Sequence, residues 1–122
     1  MSYYPLNSIP DYYGIDDLLT EEHILIRNSV RDWVQSFIMP QIDDAAQHHK
    51  DIPNLMKELG AVGALGPYIP EEYGGAGLDQ ISYGLIMQEL ERGNSAVRSA
   101  ASVRSSLVMF PIFEFGSEVQ KR

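Results

Sequence analysis

Apolar residues recur at helical spacing in three stretches of the chain. Ile26, Val30, Trp33 and Phe37 fall at i, i+4, i+7 and i+11, which lines them along one face of a helix. Tyr83, Ile86, Met87 and Leu90 fall at i, i+3, i+4 and i+7 and do the same. From Ser95 to about Phe115 the chain is apolar or small almost all round, the pattern of a helix buried among neighbours. Residues that start and stop helices frame these stretches. Thr20 is placed as an N-cap, with Glu21 and Glu22 in the first turn, where carboxylates meet the positive end of the helix dipole. Asp79 is placed to cap the second stretch, and Gly93 with Asn94 separates it from the third. Pro40 is expected to end or kink the first helix, and Pro111 to kink the last near Leu107 before Gly116 ends it.

The intervening segments are less regular. "QIDDAAQHHK" reads as a polar helical turn or two, and Pro53 opens a short helix, "NLMKEL", that Gly60 can close in a left-handed conformation. The Gly- and Pro-rich run from Gly60 to Asp79 reads as one structured loop. Residues 1–17, punctuated by Pro5, Pro10 and Gly14, read as an irregular arm, with Tyr3, Tyr4, Tyr12 and Tyr13 expected to anchor it. Ser117 and Gln120 have the form of a capping box that starts a further helix, from which we expect the polypeptide to continue. No stretch reads as a strand and nothing repeats. The expected fold is all-α, an antiparallel array of about five helices over residues 18–122 with one Gly-rich loop.

Composition narrows the function. Seventeen acidic against nine basic residues give a net charge of −8, and no basic stripe is available for a nucleic acid. With no cysteine there is no disulfide or thiolate chemistry, which suits a cytoplasmic protein. No apolar run reaches the roughly 20 residues that span a bilayer. "YGGAG" lacks both a preceding strand and GxGxxG spacing, and no P-loop occurs. His48 and His49 are adjacent, so on a helix they point about 100° apart and make a poor metal pair. Glu71 and Glu72 read as surface charge, and no Ser has a His and Asp arranged to activate it.

Arg98 is the unusual residue. It stands in "VRSAASVRSSLVMF", where a permanent charge needs a partner. Ser102 lies one turn on at i+4, and Ser105 and Ser106 extend the polar stripe. Two readings stay open. Arg98 pairs with an acidic residue of the fold, such as Glu89 or Glu91, or it forms an anion-binding face with the serines.

The succession "PEEYGGAG", "ELER", "VRSAASVRSSLVM" and "GSEVQK" resembles the N-terminal helical domain of acyl-CoA dehydrogenases, most closely the glutaryl-CoA dehydrogenase branch, over about residues 14–122. The resemblance implies that a middle β-domain and a C-terminal helical bundle follow in the full-length enzyme, a homotetramer that binds flavin adenine dinucleotide (FAD) between them. It implies α,β-dehydrogenation of an acyl-CoA. A Glu of the C-terminal domain takes the α proton, the flavin takes hydride, and electron-transfer flavoprotein is the acceptor. In the glutaryl branch, oxidation can be coupled to decarboxylation to crotonyl-CoA. The residues matching Arg98, Ser99 and Ser102 lie near the distal carboxylate of the substrate there, which makes these three the expected substrate-binding residues. This chain departs from the branch at Val97 and Arg104, neither of which alters Arg98 or Ser102. The catalytic Glu and most flavin contacts are implied to lie beyond Arg122, so the 122-residue chain is expected to be inactive, to bind no flavin by itself and to self-associate. The alternatives are a dehydrogenase of a non-carboxylated acyl-CoA and a stand-alone helical interaction module.

Overall fold

The computed structural model describes residues 11–122. Helix α1 (Glu21–Trp33) leads through a π turn, Val34–Ile38, directly into α2 (Met39–His48). Helix α3 (Leu55–Ala61) and the Gly-rich loop follow, then α4 (Gln80–Gly93) and α5 (Ser95–Ser102). A second π turn, Val103–Met109, joins α5 to α6 (Phe110–Phe115), and α7 (Glu118–Lys121) closes the described chain. Counted as continuous paths, these are five helices, and no strand occurs among the described residues. Helix α4 is the centre, packed against α1 on one side and α5 on the other.

Neither proline ends its helix; of the end or kink expected at Pro40, the end does not occur. A proline lacks the N–H of the helical ladder, and its ring crowds the carbonyl four residues back. Here the ladder opens by one residue just before each ring. Met39 N–H reaches back to Val34 O and Phe110 N–H to Ser105 O, five residues rather than four. Side chains add bonds to carbonyls beside each turn: Gln41 Nε2 donates to Phe37 O at 2.6 Å, and Ser106 Oγ to Ser102 O at 2.6 Å. The extra residue also rotates the helix, so the buried seam of the first path is Val30, Val34 and Ile38. Trp33 and Phe37 stack on each other at 5.3 Å beside it.

The core joins this seam to Leu59, Ala64, Ile86, Leu90, Val97 and Ala101. Gly93 lets α4 approach the first π turn, because a Cβ there would lie 2.5 Å from Val34 Cγ1. Helix α3 ends at Ala61, two residues later than expected. Gly60 lies within it, and Gly63, at φ 78°, is the left-handed residue. Ala64 N–H then bonds Leu59 O at 2.9 Å in the Schellman pattern.

Two caps stand as expected, and a histidine joins them. Thr20 Oγ1 accepts from His23 N–H, and Asp79 Oδ1 accepts from Ser82 N–H at 2.7 Å. His23 Nδ1 accepts the Thr20 N–H at 3.2 Å, so its Nε2 carries the proton and donates to Asp79 Oδ2 at 2.8 Å. The buried ring thus ties the N-terminus of α1 to that of α4. The arm departs from expectation. Residues Ile15–Leu18 form a 3-10 turn, and Tyr12 and Tyr13 are exposed rather than anchoring. Tyr3 and Tyr4 lie outside the described residues.

Candidate functional site

Two arginines on the helices facing α4 meet α4 carboxylates, and the arrangements differ in kind. Glu89 is fully buried. Arg31 on α1 grips it side-on, Nε to Oε2 and Nη2 to Oε1, both at 2.9 Å, with Arg92 Nε at 3.7 Å. A buried carboxylate held in a guanidinium fork is satisfied by the fold itself. Sequence spacing gave no sign of this pair, because the partners stand 58 residues apart.

Arg98 belongs to a different arrangement. Helix α5 starts at Asn94, whose side chain caps Ala96 N–H at 2.8 Å. From this start the helix buries Val97 and Ala101 and leaves Arg98 on the next face, about 100° round. Arg98 Nε donates to Glu91 Oε2 at 2.6 Å, and its Nη1 to Ser102 Oγ at 3.2 Å. Ser102 Oγ donates in turn to Ser99 O at 3.3 Å. The Arg98 side chain is 35% exposed and Glu91 47%. The hydrogen bond from Arg98, helped by one from Ser95 Oγ, holds the Glu91 carboxyl below its ordinary range. A guanidinium has five N–H donors. Two are used here, and the Nη2 edge takes no partner among the described residues.

The structure therefore brings Arg98 and Ser102 together, as expected. Of the two internal partners considered for Arg98, Glu91 meets it and Glu89 does not. Ser99 contributes its carbonyl, and its half-buried hydroxyl bonds to nothing among the described residues. Ser106 continues the polar stripe by bonding back to Ser102 O. Ser105 does not, because the π turn carries it inward. It is fully buried, and its Oγ accepts the Gly66 N–H of the loop at 2.9 Å.

That loop closes over α6 and α7. Its own backbone bonds, Gly77 N–H to Ile69 O and Leu78 N–H to Pro67 O, both 2.9 Å, make it compact. Beneath it lies a cavity of about 270 Å³ walled by Leu65, Ile69, Met109, Ile112 and Phe113, with Lys121 also lining it. The Lys121 ammonium sits 5.4 Å from the Phe113 ring centre and 5.8 Å from that of Tyr73. The Tyr73 hydroxyl donates to Glu118 at 2.9 Å, which pushes its own proton affinity up. His48 is held by Asp44 on the exposed face of α2, and Glu71 and Glu72 are exposed.

This helical array matches a known domain. Residues 20–122 fit the pattern of the acyl-CoA dehydrogenase N-terminal domain. The chain belongs to the acyl-CoA dehydrogenase family. A glutaryl-CoA dehydrogenase of Mycobacterium smegmatis, solved in complex with FADH2, superposes with a TM-score of 0.86 at 38% identity, covering 98% of this chain and 30% of that one. A probable acyl-CoA dehydrogenase of Bacillus subtilis is 38% identical over 104 residues, 84% of this chain and 17% of the relative. The human mitochondrial short-chain specific acyl-CoA dehydrogenase is 35% identical over 104 residues, 85% of this chain and 25% of the relative. The chain thus spans a quarter or less of the length of these two curated relatives. No helix among the described residues is long and apolar enough to cross a membrane.

Proposed function

We propose that this chain is the acyl-side domain of an FAD-dependent acyl-CoA dehydrogenase acting on a dicarboxylic acyl-CoA, glutaryl-CoA in the first instance. In this reading, residues 18–122 are followed by a middle β-domain and a C-terminal helical domain. Electron-transfer flavoprotein takes the electrons.

The observation that carries the reading is the state of Arg98. Arg31 is spent on a buried carboxylate, whereas Arg98 is partly exposed and keeps its Nη2 edge open. Glu91 binds Nε alone and so orients the guanidinium plane without occupying the end of the fork. Ser102, held against Nη1, supplies a hydroxyl beside it. A ligand carboxylate arriving at that end meets aligned N–H donors on a side chain whose torsions are already fixed, which lowers the ordering cost of binding. In this reading Arg98 and Ser102 bind and orient the distal carboxylate, and Ser99 shapes the approach to it.

In this reading the flavin is held mainly by the domains that follow. The cavity under the loop is walled by apolar side chains, with Lys121 the single cation among its lining residues. When bound in the full-length protein, the flavin supplies the two-electron chemistry. This domain supplies the grip on the far end of the acyl chain.

A second reading has one observation in its favour. The 2.6 Å contact with Glu91 already compensates the Arg98 charge, which suits a dehydrogenase of a non-carboxylated acyl-CoA. Turnover of glutaryl-CoA against butyryl-CoA by the full-length protein separates the two. A higher kcat/KM for glutaryl-CoA supports the first reading, and a marked preference for butyryl-CoA overturns it.

A further inference from the structure

We infer that Ser105 is a positioning residue for the acyl-side arginine: its bonds to the Gly-rich loop set the rotation and axial placement of the helix that carries Arg98 and Ser102. The inference rests on the reading of Arg98 proposed above.

Val97, Ala101 and Ser105 are spaced four residues apart and are 2%, 0% and 0% exposed. They form the inner stripe of the path from α5 into the second π turn. The first two are small and apolar, and their contacts hold the helix against the core without specifying a direction. Ser105 is where the stripe becomes directional. Its Oγ accepts the Gly66 N–H at 2.9 Å and points to Ala64 O at 3.4 Å. Its carbonyl accepts the Tyr68 hydroxyl at 2.7 Å and also the Phe110 N–H of the π turn. Side chain and backbone of one residue are thus bonded to three loop residues, Ala64, Gly66 and Tyr68. The Tyr68 end is itself fixed. Its ring meets Tyr83 of α4 edge-on at 5.1 Å and Phe110 at 6.0 Å.

Arg98 lies seven residues before Ser105, about 10 Å along the axis, and the two do not touch. They share a rigid helical path, so a roll or slide at Ser105 is carried to the guanidinium. Two hydrogen bonds that need alignment within tenths of an ångström respond strongly to such a shift: a misplacement of about 1 Å can cost on the order of 100-fold in rate.

The test uses the full-length protein and the ratio of kcat/KM for glutaryl-CoA to that for butyryl-CoA. Ser105→Ala strands the buried Gly66 N–H and frees the stripe. The ratio should fall about ten-fold, with butyryl-CoA turnover within about two-fold of the parent. Tyr68→Phe removes a single O–H and leaves the helix stripe intact. It should lower the ratio about three-fold, and it carries the test alone if Ser105→Ala does not fold. Arg98→Gln is measured in parallel. If it collapses the ratio while both other variants keep it at the parent value, Ser105 merely staples the loop and the inference is overturned. If Arg98→Gln itself leaves the ratio unchanged, the reading of Arg98 fails first and this inference falls with it.

Discussion

Replacing Glu89 by Gln tests whether the fold depends on its one fully buried carboxylate. The amide has the shape of the acid, but it turns one acceptor into a donor that faces the Arg31 guanidinium. One of the two 2.9 Å hydrogen bonds becomes a donor–donor contact, and Arg31, with a side chain only 15% exposed, loses its counter-charge. Removing one partner of a buried ion pair costs about 3–5 kcal/mol. The remaining oxygen still accepts one bond and water reaches part of Arg31, so the lower end applies, about 3 kcal/mol. Domains of this size are stable by roughly 5–15 kcal/mol, so the loss is a large fraction of the total. Urea denaturation of the chain followed by far-UV circular dichroism reads it directly as a fall in the midpoint at unchanged slope. A double-mutant cycle with Arg31→Met assigns the loss to the pair, with an expected coupling of about 2 kcal/mol or more. A loss below about 1 kcal/mol, or an additive cycle, would refute the reasoning that Glu89 is held by charge rather than by packing.

The Ser82 backbone N–H, then the His23 side chain, pull the Asp79 carboxyl down from 3.8 to about 2. Folding therefore favours its charged form. This stability is complete above the ordinary value and is lost as pH falls from about 4 toward 2. Thermal melts across that window should fall less steeply for Asp79→Asn than for the parent, and parallel curves would contradict the assignment. Leu107, Phe115 and Val119 are 69%, 83% and 88% exposed along the path from α5 to α7, and exposed large apolar side chains favour association. The 122-residue chain should self-associate in sedimentation velocity and bind an apolar dye. A strict monomer at high concentration with no dye signal would count against this.

Much of the fold was legible because its signals are local. Thr20 and Asp79 cap the helices they precede, and the separation at Gly93 and Asn94 follows from residues within one turn. The stripe through Ile86, Met87 and Leu90 packs inward as its spacing requires. What was not legible depends on tertiary partners or on the length of the helical ladder. Pro40 reads as a stop or a kink, because a π turn leaves no mark on propensity, and the same turn makes Val34 and Ile38 the buried seam with Trp33 and Phe37 packed beside it. Gly63 rather than Gly60 closes α3, since the two are equally capable and the packing of Leu59 and Ala64 chooses between them. At the candidate site, the i, i+4 spacing foretold the contact of Arg98 with Ser102. Glu91 was one of two candidate partners, and only the turn between α4 and α5 decides for it. Ser105 reads as part of the polar stripe and is turned inward instead, for the same reason that Pro40 misleads.

The most direct test of the account is Arg98→Gln in the full-length protein, measured with glutaryl-CoA and butyryl-CoA alongside the melting temperature. If Arg98 meets the distal carboxylate, the substitution removes a charge-assisted contact worth roughly 2–5 kcal/mol. The kcat/KM for glutaryl-CoA then falls about 30-fold to several thousand-fold, each 1.4 kcal/mol being a factor of about ten. Turnover of butyryl-CoA changes little or rises, and the melting temperature stays close to the parent value, because the contact with Glu91 is a partly exposed ion pair. Equal losses for both substrates, with a clear drop in melting temperature, would contradict the account and make Arg98 a structural partner of Glu91.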